Sequence, residues 1–114
     1  MKTPTLFVMP LKEGKVETYK AFIEECMGPK SASYKDLLKR YGLNNARLWI
    51  HELEGKHYAL FIHDMDEGAG ELLAKWPDPN QPFDLWFDEK LRECYDVKDL
   101  SHMPPQPTSC GFFE

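Results

Sequence analysis

A chain of 114 residues, 42% hydrophobic and 13% aromatic, has the length of one domain and enough apolar surface for a core, which excludes a disordered chain. Its net charge of −5 argues against a nucleic-acid partner, and Lys12, Lys15, Lys20, Lys30, Lys35, Lys39 and Arg40 alternate with acids as on solvated helix faces. No apolar run is long enough to span a bilayer, and the N-terminal stretch lacks a signal peptide's shape. Cys26, Cys94 and Cys110 are odd in number and lack metal-type spacing, so a cytoplasmic chain with reduced thiols and no membrane partner is expected.

Thr5 to Leu11 is a β-rich apolar run that stops at Lys12-Glu13-Gly14-Lys15. Val16, Tyr19, Phe22, Ile23 and Cys26 then recur at helical spacing, with Glu17, Lys20 and Glu24 opposite, until Gly28-Pro29 breaks the pattern. A second helix is expected from about Ser31 to Tyr41, with Tyr34, Leu37, Leu38 and Tyr41 as its stripe and Gly42 as its stop. Asn44 to Leu53 and Lys56 to Met65 read as two strands joined by Glu54-Gly55, a pair suited to a two-residue hairpin loop.

Asp66-Glu67-Gly68 ends the hairpin, and a short helix is expected over Glu71 to Lys75. Residues 76–82 hold three prolines and cannot be regular. Phe83 to Tyr95 forms the last helix, with Phe83, Phe87, Leu91 and Cys94 on one face and Asp84 near its positive end. Residues 103–114 form an extended tail through Pro104, Pro105 and Pro107, in which Cys110-Gly111-Phe112-Phe113 is a closing strand. The order is βαββαβ: an α+β, ferredoxin-like sandwich over residues 1–114, with one antiparallel sheet and its helices on one face.

The turn fixes the hairpin register. Leu53 opposes Lys56, His51 opposes Tyr58, Trp49 opposes Leu60 and Arg47 opposes Ile62; on the other face Glu52 meets His57, Ile50 meets Ala59, Leu48 meets Phe61 and Ala46 meets His63. Leu48, Ile50, Ala59 and Phe61 belong under the helices. Arg47, Trp49, His51, Tyr58, Leu60 and Ile62 make an amphipathic face too apolar to leave in water, at about 25 cal/mol per Å2 of exposed apolar area. A second subunit's sheet is the expected cover, and the space between the sheets a natural small-molecule pocket.

His51 and Tyr58 are the catalytic candidates, because a histidine is the usual acid or base near neutral pH. Arg47, Trp49, Leu60, Ile62 and Trp86 are the ligand-binding candidates. Simple pairing across a subunit interface explains Arg47, His51 and Tyr58 as well, and core packing with Phe83 and Phe87 explains Trp86. No metal is expected from His51, His57 and His63: His57 and His63 lie about 20 Å apart at ~3.3 Å per residue, and His51 points to the other face. Glu52 and His57 read as a surface pair. The sequence contains no nucleophile motif, phosphate-cradling loop or dinucleotide fingerprint, so no cofactor is expected.

Several segments carry a resemblance: Gly28-Pro29-Lys30, Arg40-Tyr41-Gly42-Leu43, Arg47-Leu48-Trp49 and, most specifically, Pro82-Phe83-Asp84-Leu85-Trp86-Phe87. Together they resemble a family of small bacterial proteins of unknown function within the dimeric α+β barrel superfamily. Met9 and Glu17-Thr18-Tyr19 are more distantly similar to the L-rhamnose mutarotases, but Ile23, Glu24 and Glu25 stand in the region of that family's catalytic histidine. The resemblance implies a homodimer with a pocket in each barrel and cofactor-free chemistry on a small molecule, of isomerase, mutarotase or oxygenase type. The alternative is a non-catalytic dimeric structural or interaction module.

Overall fold

In a computed structural model, described for residues 2–98 and 107–111, the chain runs β1 (Thr3–Pro10), α1 (Val16–Met27), α2 (Ser31–Arg40), β2 (Leu43–Leu53), β3 (Lys56–Met65), α3 (Ala69–Leu73) and α4 (Pro82–Cys94). The three strands form one antiparallel sheet in the order β1-β3-β2. The protein is therefore α+β. Of the expected closing strand, Cys110 and Gly111 have no strand pairing, and Phe112 and Phe113 lie outside the described residues.

The hairpin has the expected register, residue for residue, from Arg47 opposite Ile62 to Leu53 opposite Lys56. Its loop places Glu54 at φ 52° and Gly55 at φ 79°, the pair of positive values that a type I′ turn needs to match the twist of its strands. The expected Ala46–His63 pair is absent, because the register shifts between Asn44 and Arg47, where Asn45 has φ 53°. Asp64 fastens this irregularity, accepting hydrogen bonds from Asn45 Nδ2 at 2.8 Å and Arg47 Nη2 at 2.7 Å. Those bonds hold its carboxyl below the usual carboxylate range.

Strand alternation then sorts the sheet into two faces. Phe7, Met9, Ile50, Ala59, Phe61 and His63 face the helices, and the core closes over them with Tyr19, Phe22 and Cys26 of α1, Tyr34 of α2, and Phe87, Leu91 and Cys94 of α4. The opposite face carries Leu6, Val8, Arg47, Trp49, His51, Tyr58, Leu60 and Ile62, with no helix of the described residues packed on it.

The helices end where local chemistry dictates. Pro82 opens α4, where its missing N–H is no loss. α4 stops at Cys94, one residue before the expected end, and Tyr95 turns out of it to bridge Leu11. Gly42 follows α2 at φ +67°, and a Cβ there would lie 3.2 Å from Asp66 Cβ and 3.3 Å from Ala69 Cβ. Only glycine fits that close approach of the α2 exit to the end of β3. α3 starts two residues earlier than expected because Gly68, at φ 84°, adopts the left-handed conformation that launches it.

One polar contact departs from the solvated-face reading of Arg40. Its guanidinium grips the fully buried Asp84 with two bonds, Nη1 to Oδ2 at 3.0 Å and Nη2 to Oδ1 at 2.7 Å. Tyr41 donates its hydroxyl to the same carboxylate at 3.0 Å. This three-way tie locks α2 to the first turn of α4. Burial, together with the Asp84 carboxylate, pushes the Tyr41 hydroxyl up to about 12.

Candidate functional site

Between the inner face of the sheet and the helices lies a cavity of about 120 Å3. The sheet contributes Phe7, Leu48, Phe61 and His63; the helices contribute Phe22, Tyr34, Leu37 and Phe87; Leu73 and Trp76 close one side. The walls are rigid because the rings brace one another. Phe7 stacks on Phe61 with centroids 4.9 Å apart, and Tyr34 stacks on Phe87 at 5.8 Å. Trp76 stands edge-on to Phe87 at 5.8 Å and to Tyr41 at 5.3 Å. Flat rings locked in this way cannot bend into the gap as longer aliphatic side chains would.

Most polar atoms around this cavity are already engaged. The hydroxyls of Tyr19 and Tyr95 share a hydrogen bond of 2.9 Å, and burial pushes the Tyr19 phenol up to about 12. The Trp76 indole donates to Asp88 Oδ1 at 2.9 Å, while Arg92 Nε donates to Oδ2 at 2.7 Å. His63 is different. It is 7% exposed, and its Nδ1 is the one buried side-chain nitrogen or oxygen among the described residues without a hydrogen-bond partner. Phe7 and Phe61 stand edge-on to its ring at 5.9 and 5.7 Å. Burial, and secondly the charge of Arg47, push its pKa down to about 4, with Asp64 acting weakly the other way. At neutral pH His63 is an uncharged imidazole with a free nitrogen in apolar surroundings.

The residues singled out from the sequence fall on both sides of the sheet. Arg47, Trp49, His51, Tyr58, Leu60 and Ile62 share the outer face, with His51 directly opposite Tyr58 and Trp49 opposite Leu60. Trp49 is 52% exposed, and His51 is exposed too. Arg47 is bound to Asp64 and donates from Nε to the Asn45 carbonyl at 2.8 Å. Trp86 lies on the helix side, against Phe22 at 5.5 Å and Phe83 at 5.4 Å, with Lys30 Nζ 4.6 Å from its ring centre. It does not join the other six. Glu52 and His57 form the expected surface pair at 3.0 Å.

His63 acquires its importance only here, whereas Trp76 was already a candidate pocket wall in the sequence. The hairpin register already put His63 on the same face as Phe61 and Leu48, which was the one available signal for an imidazole inside the core. Cys26 and Cys94 are buried, and burial raises both thiols (Cys26 to about 12), so neither is a nucleophile at neutral pH. Among the described residues no three His, Cys, Asp or Glu side chains are placed to hold a metal ion, and no helix is long and apolar enough to cross a membrane. The chain matches no family model, no curated protein and no solved structure.

Proposed function

We propose that this chain is a homodimeric small-molecule-binding domain. Its ligand chamber is the cavity between sheet and helices, and its outer sheet face is the contact between two copies, as in a dimeric α+β barrel. The observation that carries this reading is the ring-lined void beside an uncharged imidazole without a partner. A core shaped for stability alone would fill that space. Space left between core side chains forfeits the packing contacts its walls would otherwise make. A small domain has a net stability of only about 5–15 kcal/mol, and a ligand that fills the space would recover the lost contacts.

The outer face supports the dimer. Trp49 and Leu53 are more than half exposed there, and Leu6 is 37% exposed. Two such faces packed together would bury an aromatic and aliphatic centre, with Arg47, His51 and Tyr58 available for pairing across it. In this architecture each chamber stays within one subunit. A second reading puts the ligand between the two sheets and makes the protein a cofactor-independent isomerase or oxygenase acting through His51 and Tyr58. It is favoured by the direct pairing of those two side chains on an exposed face.

Thermal denaturation with a panel of small neutral ring compounds, combined with light scattering, tests both parts. Wild-type protein should have a dimer's mass and Trp49→Glu a monomer's, with ring compounds raising the Tm of both. If no compound raises the Tm, the chamber reading fails. If stabilisation is lost in His51→Ala and kept in His63→Leu, the site moves to the outer face.

A further inference from the structure

Resting on the chamber reading, we propose that the ligand is an uncharged single aromatic ring bearing one hydrogen-bond acceptor, which meets the Tyr34 hydroxyl. Size sets the first limit. An apolar cavity of ~150 Å3 holds one benzene, so about 120 Å3 accepts one six-membered ring and little else. Wall chemistry sets the second. Phe7, Phe61, Tyr34, Phe87 and Trp76 present ring faces and edges, which favours a flat guest over a puckered one.

Tyr34 sets the third. It is 7% exposed, and among the described residues its hydroxyl has no hydrogen-bond partner. His63 Nδ1 is the one unpaired side-chain nitrogen or oxygen there that is sealed from water, so the equally unpaired Tyr34 hydroxyl keeps open surface. Burial, then the closeness of Cys26 and Tyr19, push this phenol above the usual tyrosine range, and Tyr34 bears in turn on Tyr95. Cys26, Tyr19 and Tyr95 are 0%, 1% and 3% exposed, and both tyrosines line the cavity with Tyr34. The hydroxyl therefore points inward, and its open surface is on the cavity side. A phenol kept protonated has one O–H to place, and the Tyr19 and Tyr95 hydroxyls already satisfy each other at 2.9 Å. The group that meets Tyr34 is an acceptor, a ring nitrogen or a carbonyl oxygen. A carboxylate is excluded: no lysine or arginine of the described residues lines the cavity, and the Arg40 guanidinium is spent on Asp36 and Asp84.

The test is calorimetric titration of the full chain and of Tyr34→Phe with benzene, pyridine and benzoate, at a mildly alkaline pH where pyridine is uncharged. Benzene and pyridine share one shape and differ by one acceptor, so benzene reports the chamber and their ratio reports the hydroxyl. Wild type should bind both rings and take up no benzoate. In Tyr34→Phe the affinity for pyridine relative to benzene should fall about tenfold, the loss of one buried hydrogen bond. If neither ring binds wild type, the chamber itself is refuted. If benzene alone binds, if the ratio is unchanged in Tyr34→Phe, or if benzoate binds better than pyridine, the chamber stands and the acceptor assignment is overturned. Carbon NMR of the Tyr34 Cζ in unaltered protein gives a check independent of how the variant folds. Saturating pyridine should displace that resonance more than saturating benzene does, and equal displacement would overturn the assignment.

Discussion

Replacing His63 with leucine should flatten the acid side of the stability profile. The native imidazole has a pKa of about 4 against 6.5 for an unperturbed histidine, because burial and the Arg47 charge disfavour its cation. Between those two pH values the unfolded chain binds a proton that the native chain refuses. His63 therefore contributes its full stability above pH 6.5, and this is lost as pH falls toward 4. At about 1.4 kcal/mol per pH unit over that interval, the loss from pH 7 to pH 4 is about 3 kcal/mol. Urea denaturation of both proteins at pH 7, 6, 5 and 4 measures it. Asp64 and Glu93, whose carboxyls are held low by their cationic partners, also lose stability in acid, but they do so in both proteins and cancel in the difference. Wild type should lose about 3 kcal/mol more than the variant over this range, and at pH 7 the variant should be at least as stable, since it carries no unpaired nitrogen. Parallel profiles would refute the picture of a buried neutral imidazole.

Three further substitutions probe how the scaffold holds the cavity. Asp84→Ala removes a fully buried acceptor of three hydrogen bonds and strands both Arg40 and Tyr41; it should cost about 3–5 kcal/mol in urea denaturation, and a loss below about 1 kcal/mol would contradict the tie between α2 and α4. Glu54→Asn places a residue that tolerates positive φ at a turn position where glutamate sits at φ 52°, and should raise the denaturation midpoint by about 0.5–1 kcal/mol in stability. Gly42→Ala meets both a left-handed backbone and two crowded Cβ atoms, so a destabilisation of at least ~1 kcal/mol is expected from thermal unfolding.

Much of the scaffold was legible in the sequence because its signals are local. The register of β2 and β3 followed from Glu54-Gly55 and the two-residue alternation of side chains, which together leave one pairing that puts Leu48, Ile50, Ala59 and Phe61 on a single face. The helices were readable from the spacing of Tyr19, Phe22 and Cys26 and of Tyr34 and Leu37. The cavity was not. A buried apolar position reads the same whether its neighbours fill the space or leave a gap, and only the mutual bracing of Phe7, Phe61, Tyr34, Phe87 and Trp76 decides that. The grip of Arg40 on Asp84 spans 44 positions, beyond any periodic pattern, so a lysine- and arginine-bearing helix looked merely solvated. The outer-face residues were readable as a set, whereas Trp86 belonged by its helical spacing with Phe83 to the opposite side of the sheet.

The ligand chamber is tested most directly by methyl NMR of the wild-type protein titrated with benzene, a probe without a hydroxyl. Occupation of the cavity should shift the methyls of Leu37, Leu48 and Leu73, which line it, and leave those of Leu6, Leu60 and Ile62 on the outer sheet face unmoved. Shifts confined to the outer-face methyls, or no saturable shift at any of the six, would contradict a ligand site between the sheet and the helices.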